Sequence, residues 1–216
     1  IGGATGFVIG GPIGALLGAA TGHYAEAKLK GPSNSFVSKK IAFTVAIIAL
    51  SAKMAKADGV ITRSEITAFR QKVHIPTGDL KRVGQFWDLA RQTPDGFQSY
   101  AKQSVELFGS RAPILEQLLE LLFFIAKADG EISSPEWNYL NIVSSIFGFD
   151  EREFQRMADI YGSGEGAAHT ILGIAPDASE SEIKAAWRKL VRENHPDKLI
   201  YQGLPDEFVQ AATDRL

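Results

Sequence analysis

Apolar and polar residues follow a helical rhythm over most of the chain, interrupted by short breaks that contain Gly or Pro. Apolar side chains recur at spacings of three and four residues, which places them on one face of an α-helix. The strict alternation that marks a β-strand is not found. The sequence therefore predicts an all-α protein. The segments with this rhythm are residues 36 to 57, 63 to 74, 79 to 91, 97 to 108, 112 to 128, 134 to 147 and 151 to 161.

The first 25 residues stand apart because they contain no Asp, Glu, Lys or Arg. A helix needs about 20 apolar residues to cross the hydrocarbon layer, so we expect a transmembrane helix over residues 1 to 25. A secretory signal peptide is the less favoured alternative, since no basic region precedes the apolar stretch. Because the chain starts at Ile1 rather than at Met, we also expect a few residues to precede it.

Glycine recurs at every fourth position of this segment, which leaves one face of the helix without side chains. Lipid supplies no hydrophobic drive for helix association, so such a face favours close backbone packing. We expect a glycine zipper that forms a homodimer in the lipid bilayer; glycines that merely permit helix contact are the alternative. The zipper positions are Gly2, Gly6, Gly10, Gly14, Gly18 and Gly22.

The segment after the predicted span is basic, and residues 26 to 35 are expected to form a juxtamembrane linker. Lys28, Lys30, Lys39 and Lys40 follow the span. Because basic residues flanking a span stay inside, we expect a single-pass protein of the inner (plasma) membrane with its remaining domains in the cytoplasm. The net charge of −2 indicates no partner, and the absence of Cys excludes disulfides, thiolate metal centres and a cysteine nucleophile.

The middle of the chain, residues 36 to 161, contains an internal repeat. The sequence from Ala55 to Glu65 recurs 71 residues later, from Ala126 to Glu136, which indicates a duplicated helical hairpin. In residues 36 to 57 we expect one broad face, made of Phe36, Lys40, Phe43, Ile47 and Leu50.

The repeated turn admits a metal interpretation, because its Asp-Gly-x-Ile sequence with a following Glu resembles the second half of an EF-hand loop. The first two ligand positions would hold Met54 and Lys56, or Ile125 and Lys127 in the second copy, and these cannot bind a hard cation. We favour a structural turn, in which Gly ends one helix and Thr62/Glu65 or Ser133/Glu136 cap the next. The segment resembles the TerB-like tellurite-resistance domain, whose acidic turns have been suspected of metal binding.

A Gly-rich linker over residues 162 to 166 separates a last module, residues 167 to 216. We predict a short helix over residues 167 to 172 and a second helix that ends at Asn194, with Ser179 and Glu182 as its capping box. One face of this helix is apolar, and the other carries a basic stripe. Residues 165 to 216 hold six basic against nine acidic residues, which argues against a nucleic-acid site. The stripe consists of Lys184, Arg188, Lys189 and Arg192.

The tripeptide His195-Pro196-Asp197 and Lys198 follow this helix, about 22 residues after Leu172-Gly173-Ile174. With the basic helix between them, these motifs resemble the J-domain of the DnaJ family. The order of glycine-rich span, TerB-like bundle, linker and J-domain resembles membrane-anchored DnaJ-like co-chaperones. Because the chain ends at Leu216, we expect the third helix of the J-domain, which starts at Asp206, to be incomplete.

The resemblance implies a co-chaperone in protein folding and stress response that binds a DnaK-type ATP-dependent chaperone and stimulates its ATPase. His195, Pro196 and Asp197 would activate the chaperone, and Lys198 would join the basic stripe in docking. An enzyme is not expected, because no nucleophile or cofactor loop accompanies His195 and Asp197. No cofactor or metal is expected either. The basic stripe taken alone fits a solvated helix face.

The second function considered is a membrane-tethered sensor or scaffold. In that hypothesis the TerB-like bundle binds a metal or a protein ligand, and the J-domain is accessory.

Overall fold

The computed structural model describes residues 11–21, 35–57, 63–72, 80–92, 96–162, 169, 172–175, 177–193, 195–205 and 208. Within these ranges every regular element is helical, so the predicted all-α fold is confirmed. The helices are α1 Gly11–Thr21, α2 Ser35–Met54, α3 Arg63–Lys72, α4 Leu80–Ala90, α5 Phe97–Phe108, α6 Pro113–Ala126, α7 Ser134–Phe147, α8 Glu151–Gly162, α9 Glu180–Glu193 and α10 Pro196–Gln202.

Helix α2 lies at the centre of the bundle and packs against α1, α4, α5 and α6. Phe43, Ile47 and Leu50 are fully buried, as their predicted shared face requires. Burial extends beyond this face, since Ala42, Val45 and most of their neighbours up to Ala55 are buried as well. A helix that is apolar all round is buried all round, and here α2 has neighbours on every side.

The second copy of the repeated turn has the predicted structural form. Helix α6 ends at Ala126 and continues as a short 3₁₀ turn, Lys127–Asp129. Gly130 then adopts a φ of 124°, which side chains rarely tolerate. Ser133 caps α7 by accepting from the backbone N–H of Glu136, while the Glu136 carboxylate accepts from that of Ser133. The first copy of the turn, residues 58 to 62, lies outside the described residues.

Helix α8 closes one side of the bundle against α6. Phe154 lies 5.5 Å from Phe123, centroid to centroid, and both are buried. At the edge of this contact Arg156 forms a largely shielded ion pair with Glu116.

Helix α1 covers the second half of the predicted membrane span and packs against α2, α4 and α5. Ile13 and Leu16 are buried there. The backbone N–H of Ile13 donates to Oε1 of Gln103 on α5 across 2.8 Å, which satisfies one of the free donors at the start of α1. None of the described helices is long and apolar enough to cross a membrane.

Helices α9 and α10 make up most of the described part of the last module. Among the fourteen described residues of α9 none is buried, whereas α10 contacts α2 and α6 of the bundle. The module therefore reaches the bundle through α10.

Candidate functional site

Helix α9 presents the predicted basic stripe to solvent. Lys184, Arg188, Lys189 and Arg192 are all exposed. Lys184 pairs with Glu180 one turn earlier, and Nε of Arg188 donates to the carbonyl oxygen of Lys184 across 3.1 Å. Among the described residues of α9 only Lys184 of these cations has an acidic partner, so the middle and end of the helix present a positive surface.

The start of α9 is a capping box, as the sequence predicts. The Glu182 carboxylate accepts hydrogen bonds from the hydroxyl and the backbone N–H of Ser179, at 2.6 and 2.8 Å. Hydrogen bonds from the Ser179 hydroxyl, and then from its backbone N–H, lower the pKa of Glu182 from 4.5. The charged Glu182 carboxylate therefore stabilises the N-terminal end of α9, which is the end remote from the His-Pro-Asp motif.

The His-Pro-Asp motif begins a helix. The structure places His195 at the N-cap of α10 and Pro196 in its first helical position. Proline suits that position because its fixed φ matches a helix and its missing N–H has no partner there. Asp197 follows in the first turn, where a carboxylate complements the helix dipole.

The side chains of His195 and Asp197 are accessible, and the imidazole is bonded to the backbone of Asp197. The backbone N–H of Asp197 donates to Nδ1 of His195 across 3.3 Å. The side chain of His195 is 54% exposed and that of Asp197 89% exposed. Lys198, the last residue of the predicted docking set, is also exposed. The structure thus brings imidazole and carboxylate to one surface, beyond the end of the basic helix.

The residues that hold the motif in place were missed by the sequence analysis. Leu199 and Leu204 are fully buried and Phe208 is 5% exposed. They share one hydrophobic core with Phe43 of α2. Nothing in the local sequence reveals this contact, because its two sides are about 160 residues apart and α10 is too short for a periodic pattern.

The bundle was the alternative candidate for a ligand site. Among the described residues no group of three or more His, Asp and Glu side chains is placed to hold a metal ion. A buried polar group of the bundle has a structural role. The Tyr139 hydroxyl donates to the carbonyl oxygen of Leu50 across 2.9 Å. Burial raises the pKa of Tyr139 well above its usual value.

Of the predicted zipper glycines, Gly14 and Gly18 lie within α1, and the others lie outside the described residues. A different glycine makes the close contact with the bundle. Gly11 has a φ of 65°, and a Cβ there would lie 2.9 Å from Oε1 of Gln103.

Comparison with family models assigns three parts of the chain. Residues 44–159 match the tellurite resistance protein TerB, residues 167–211 match the DnaJ domain, and residues 1–32 match the co-chaperone DjlA transmembrane domain. The TerB match alone covers more than half of the chain.

Several curated proteins that share one name are similar to this chain. The chain is 29% identical to the Co-chaperone protein DjlA of Photobacterium profundum, over 97% of this chain and 90% of that relative. Identity to the Co-chaperone protein DjlA of Aliivibrio fischeri is 26%, over 84% of this chain and 76% of the relative. For the protein of that name from Coxiella burnetii, identity is 24%, over 97% of this chain and 89% of the relative. No solved structure shows significant similarity to the chain.

Proposed function

This chain belongs to the TerB family through residues 44–159 and, with its DnaJ and DjlA transmembrane segments, to the DjlA co-chaperones; from that premise we propose how it acts. It docks on the ATP-bound state of a DnaK-type chaperone through α9 and stimulates ATP hydrolysis through His195, Pro196 and Asp197. The catalysis belongs to the chaperone, and the chain itself is not an enzyme.

The observation that carries this proposal is the exposure of the motif at the start of α10. A trigger that acts on another protein has to be accessible, and both ionisable side chains of the motif are more than half exposed. The motif also lies just beyond the exposed basic residues of α9. One partner surface can therefore contact the stripe and the motif together.

Docking through α9 follows from charge complementarity. Exposed cations steer an acidic partner into the correct orientation and raise the association rate more than the affinity. Arg188 and Arg192 stand one helical turn apart on α9, so they present two guanidinium groups to the same partner. Lys184, Lys189 and Lys198 extend the positive surface on either side.

Activation then depends on the two ends of the motif. With Nδ1 of His195 accepting the Asp197 N–H, the neutral ring carries its proton on Nε2 and offers it as a donor. The Asp197 carboxylate can form a charge-assisted pair with a cation of the chaperone. Pro196 keeps the two groups in a fixed relation because its ring restricts the backbone between them.

The DjlA transmembrane segment anchors the chain to a membrane. We extend this to a single pass over residues 1 to 25, a basic linker over 26 to 35, a bundle over 36 to 161, a linker over 162 to 166 and a J-domain over 167 to 216. The basic residues after the span favour a cytoplasmic bundle and J-domain. Since α1 packs on the bundle, insertion requires Ile13 and Leu16 to exchange that surface for lipid.

The test is DnaK ATPase activity under single-turnover conditions, with the full chain reconstituted in lipid nanodiscs. We expect hydrolysis to accelerate in proportion to the occupied chaperone, and to return to its basal rate when the chain is omitted. A chain that binds DnaK without changing the hydrolysis rate would refute the proposal and would favour the sensor or scaffold alternative.

A further inference from the structure

We propose that the bundle is a positioning platform for the His-Pro-Asp motif. Four residues, here called the anchor, pack on the bundle at α2 and thereby set the direction in which the motif faces the partner chaperone; they are Leu199, Gly203, Leu204 and Phe208. This inference rests on the proposed function and adds to it a role for the bundle: α2 takes part in chaperone activation without touching the chaperone.

The anchor makes an apolar contact with the centre of the bundle. The rings of Phe43 and Phe208 lie 5.1 Å apart, centroid to centroid, with their planes at 78°. This edge-to-face arrangement is the one that aromatic quadrupoles favour. Leu199 and Leu204 are completely removed from solvent in the same core. The contact is therefore part of the packed interior of the molecule.

The backbone of the anchor also comes very close to α2. Gly203 ends α10 with a φ of 105°, and a Cβ at this position would lie 2.6 Å from Cβ of Lys39. A side chain at residue 203 fits only if α10 and α2 move slightly apart. Glycine is therefore favoured here, for its conformation and for the space it leaves.

The anchor and the motif form one rigid piece. The backbone N–H groups of Lys198 and Leu199 both donate to the carbonyl oxygen of His195, at 3.0 and 3.1 Å. Leu199 thus lies one helical turn from His195 and is fixed to it by the hydrogen bonds of that turn. When the bundle holds Leu199, it also holds the start of α10.

The contact supports positioning and does not block the site. His195 and Asp197 stay exposed while Leu199 and Leu204 are buried, so the bundle and the chaperone use different sides of α10. Helix α9 does not compete for the bundle, since Trp187, its largest apolar side chain, is 51% exposed. A docked anchor is compatible with a bound chaperone.

The contact itself is tested by disulfide trapping, because the chain contains no natural Cys. We expect the full chain carrying Lys39→Cys and Gly203→Cys to form an intramolecular disulfide under mild oxidation, since a small shift brings the Cβ atoms to the ~3.5–4.5 Å that a disulfide needs. The control pair is Lys39→Cys with Gly173→Cys. Gly173 also has positive φ, so Cys there meets the same kind of backbone restriction. Its Cβ would lie 3.5 Å from Cδ of Arg156, and no atom of Lys39 is within 4 Å. Equal, slow oxidation of both pairs would overturn the inference.

The functional consequence is tested by loosening the contact. Phe43→Ala should lower the stimulation of DnaK on the order of tenfold, as small misplacements of functional groups do. Phe147→Ala removes an equally buried ring of α7 and is the matched control for loss of bundle stability. Melting temperatures of both variants are compared first. If the two variants stimulate DnaK equally at a comparable melting temperature, the bundle does not position the motif.

Locking the contact separates positioning from inhibition. The chain with Lys39→Cys and Gly203→Cys should stimulate DnaK at least as well in its oxidised form as in its reduced form. A loss of stimulation on oxidation would overturn the inference. His195→Gln added to this pair should remove stimulation while leaving disulfide formation unchanged. Failure of the proposed function and failure of the anchor contact therefore give different results.

Discussion

The backbone N–H of Asp197 donates to Nδ1 of His195 across 3.3 Å, and this bond orients the imidazole at the start of α10. Nδ1 thereby caps the first free donor of the helix. The same nitrogen lies 3.9 Å from Oδ2 of Asp197, so the imidazole and the carboxylate of the motif are close together.

Replacing His195 with Gln should abolish stimulation of DnaK ATPase and leave the helical signal of the chain nearly unchanged. The side chain is more than half exposed, so its loss removes a surface donor and little packing. ATPase rates and circular dichroism together measure the two effects. Tyr201→Phe, at a highly exposed position of the same helix, is the control and should keep full stimulation. Undiminished stimulation by His195→Gln would remove the assignment of the motif.

Charge reversal of Arg188 and Arg192 to Glu should slow association with DnaK by roughly tenfold at low salt, because both groups steer an acidic partner. In the parent chain, association should weaken as the Debye length falls below about 10 Å. Arg152→Glu with Lys102→Glu, at exposed cations of α8 and α5, changes the net charge by the same amount and is the control. Association rates are measured by stopped flow. If neither the charge reversal nor the salt concentration changes these rates, the stripe is only a solvated helix face.

The sequence predicted the bundle helices well where caps and periodicity act locally. The predicted bounds of 97 to 108 and 134 to 147 agree with α5 and α7. The capping box of Ser133 and Glu136 is confirmed, because the residues that form it are three positions apart. A capping box can be recognised from the sequence because all of its residues lie within one helical turn.

What the sequence did not predict depends on contacts between distant residues. Helix α10 has seven residues, too few to show a period, and the burial of Leu199 in the core that contains Phe43 depends on how two domains meet. The same holds for Gln103, whose side chain caps α1 from 90 residues away. Apolar composition showed that α2 is buried, but only packing shows that it is buried on all sides.

The start of α9 should weaken at acidic pH. Hydrogen bonds from Ser179 lower the pKa of Glu182, so the stabilisation is fully present above the ordinary value of 4.5 and is lost as the pH falls through the lowered folded value. Ser179→Ala should return the pKa of Glu182 toward 4.5. Carboxyl NMR titration of the parent and the variant measures the shift, and Ser133→Ala, which acts on a different helix, should leave it unchanged. Identical titrations of Glu182 in parent and Ser179→Ala would contradict the capping interpretation.

Calcium and chelators should leave the melting temperature of the bundle unchanged. The turn at Asp129 is closed by Gly130 and Ser133, and its preceding ligand positions hold Ile125 and Lys127, which do not bind a hard cation. A ligand that binds only the folded state raises the melting temperature, so calorimetry at increasing calcium is a direct measurement. A calcium-dependent rise that disappears in Asp58→Ala or Asp129→Ala would establish a metal site instead.

The glycine face of the N-terminal segment should mediate self-association in the bilayer. In a helix of 3.6 residues per turn, Gly14 and Gly18 lie roughly 150° around α1 from the midpoint of Ile13 and Leu16. In lipid the segment has left the bundle, so the glycine face, on the opposite side of the helix from those two apolar residues, is available to a second copy. Backbones that meet across glycines pack closely, and a branched side chain would keep them apart.

Ile at Gly10, Gly14 and Gly18 should therefore reduce dimerisation without preventing insertion, since Ile is more apolar than Gly and a better helix former. A membrane dimerisation reporter carrying residues 1 to 28 measures this. Ala15→Ile with Ala19→Ile adds similar bulk beside the glycine face and is the control, which should keep the parent signal. Dimerisation would raise the effective concentration of two J-domains around one chaperone. Equal signals from the parent and the triple-Ile segment would show that the glycines only tolerate packing and do not specify a dimer.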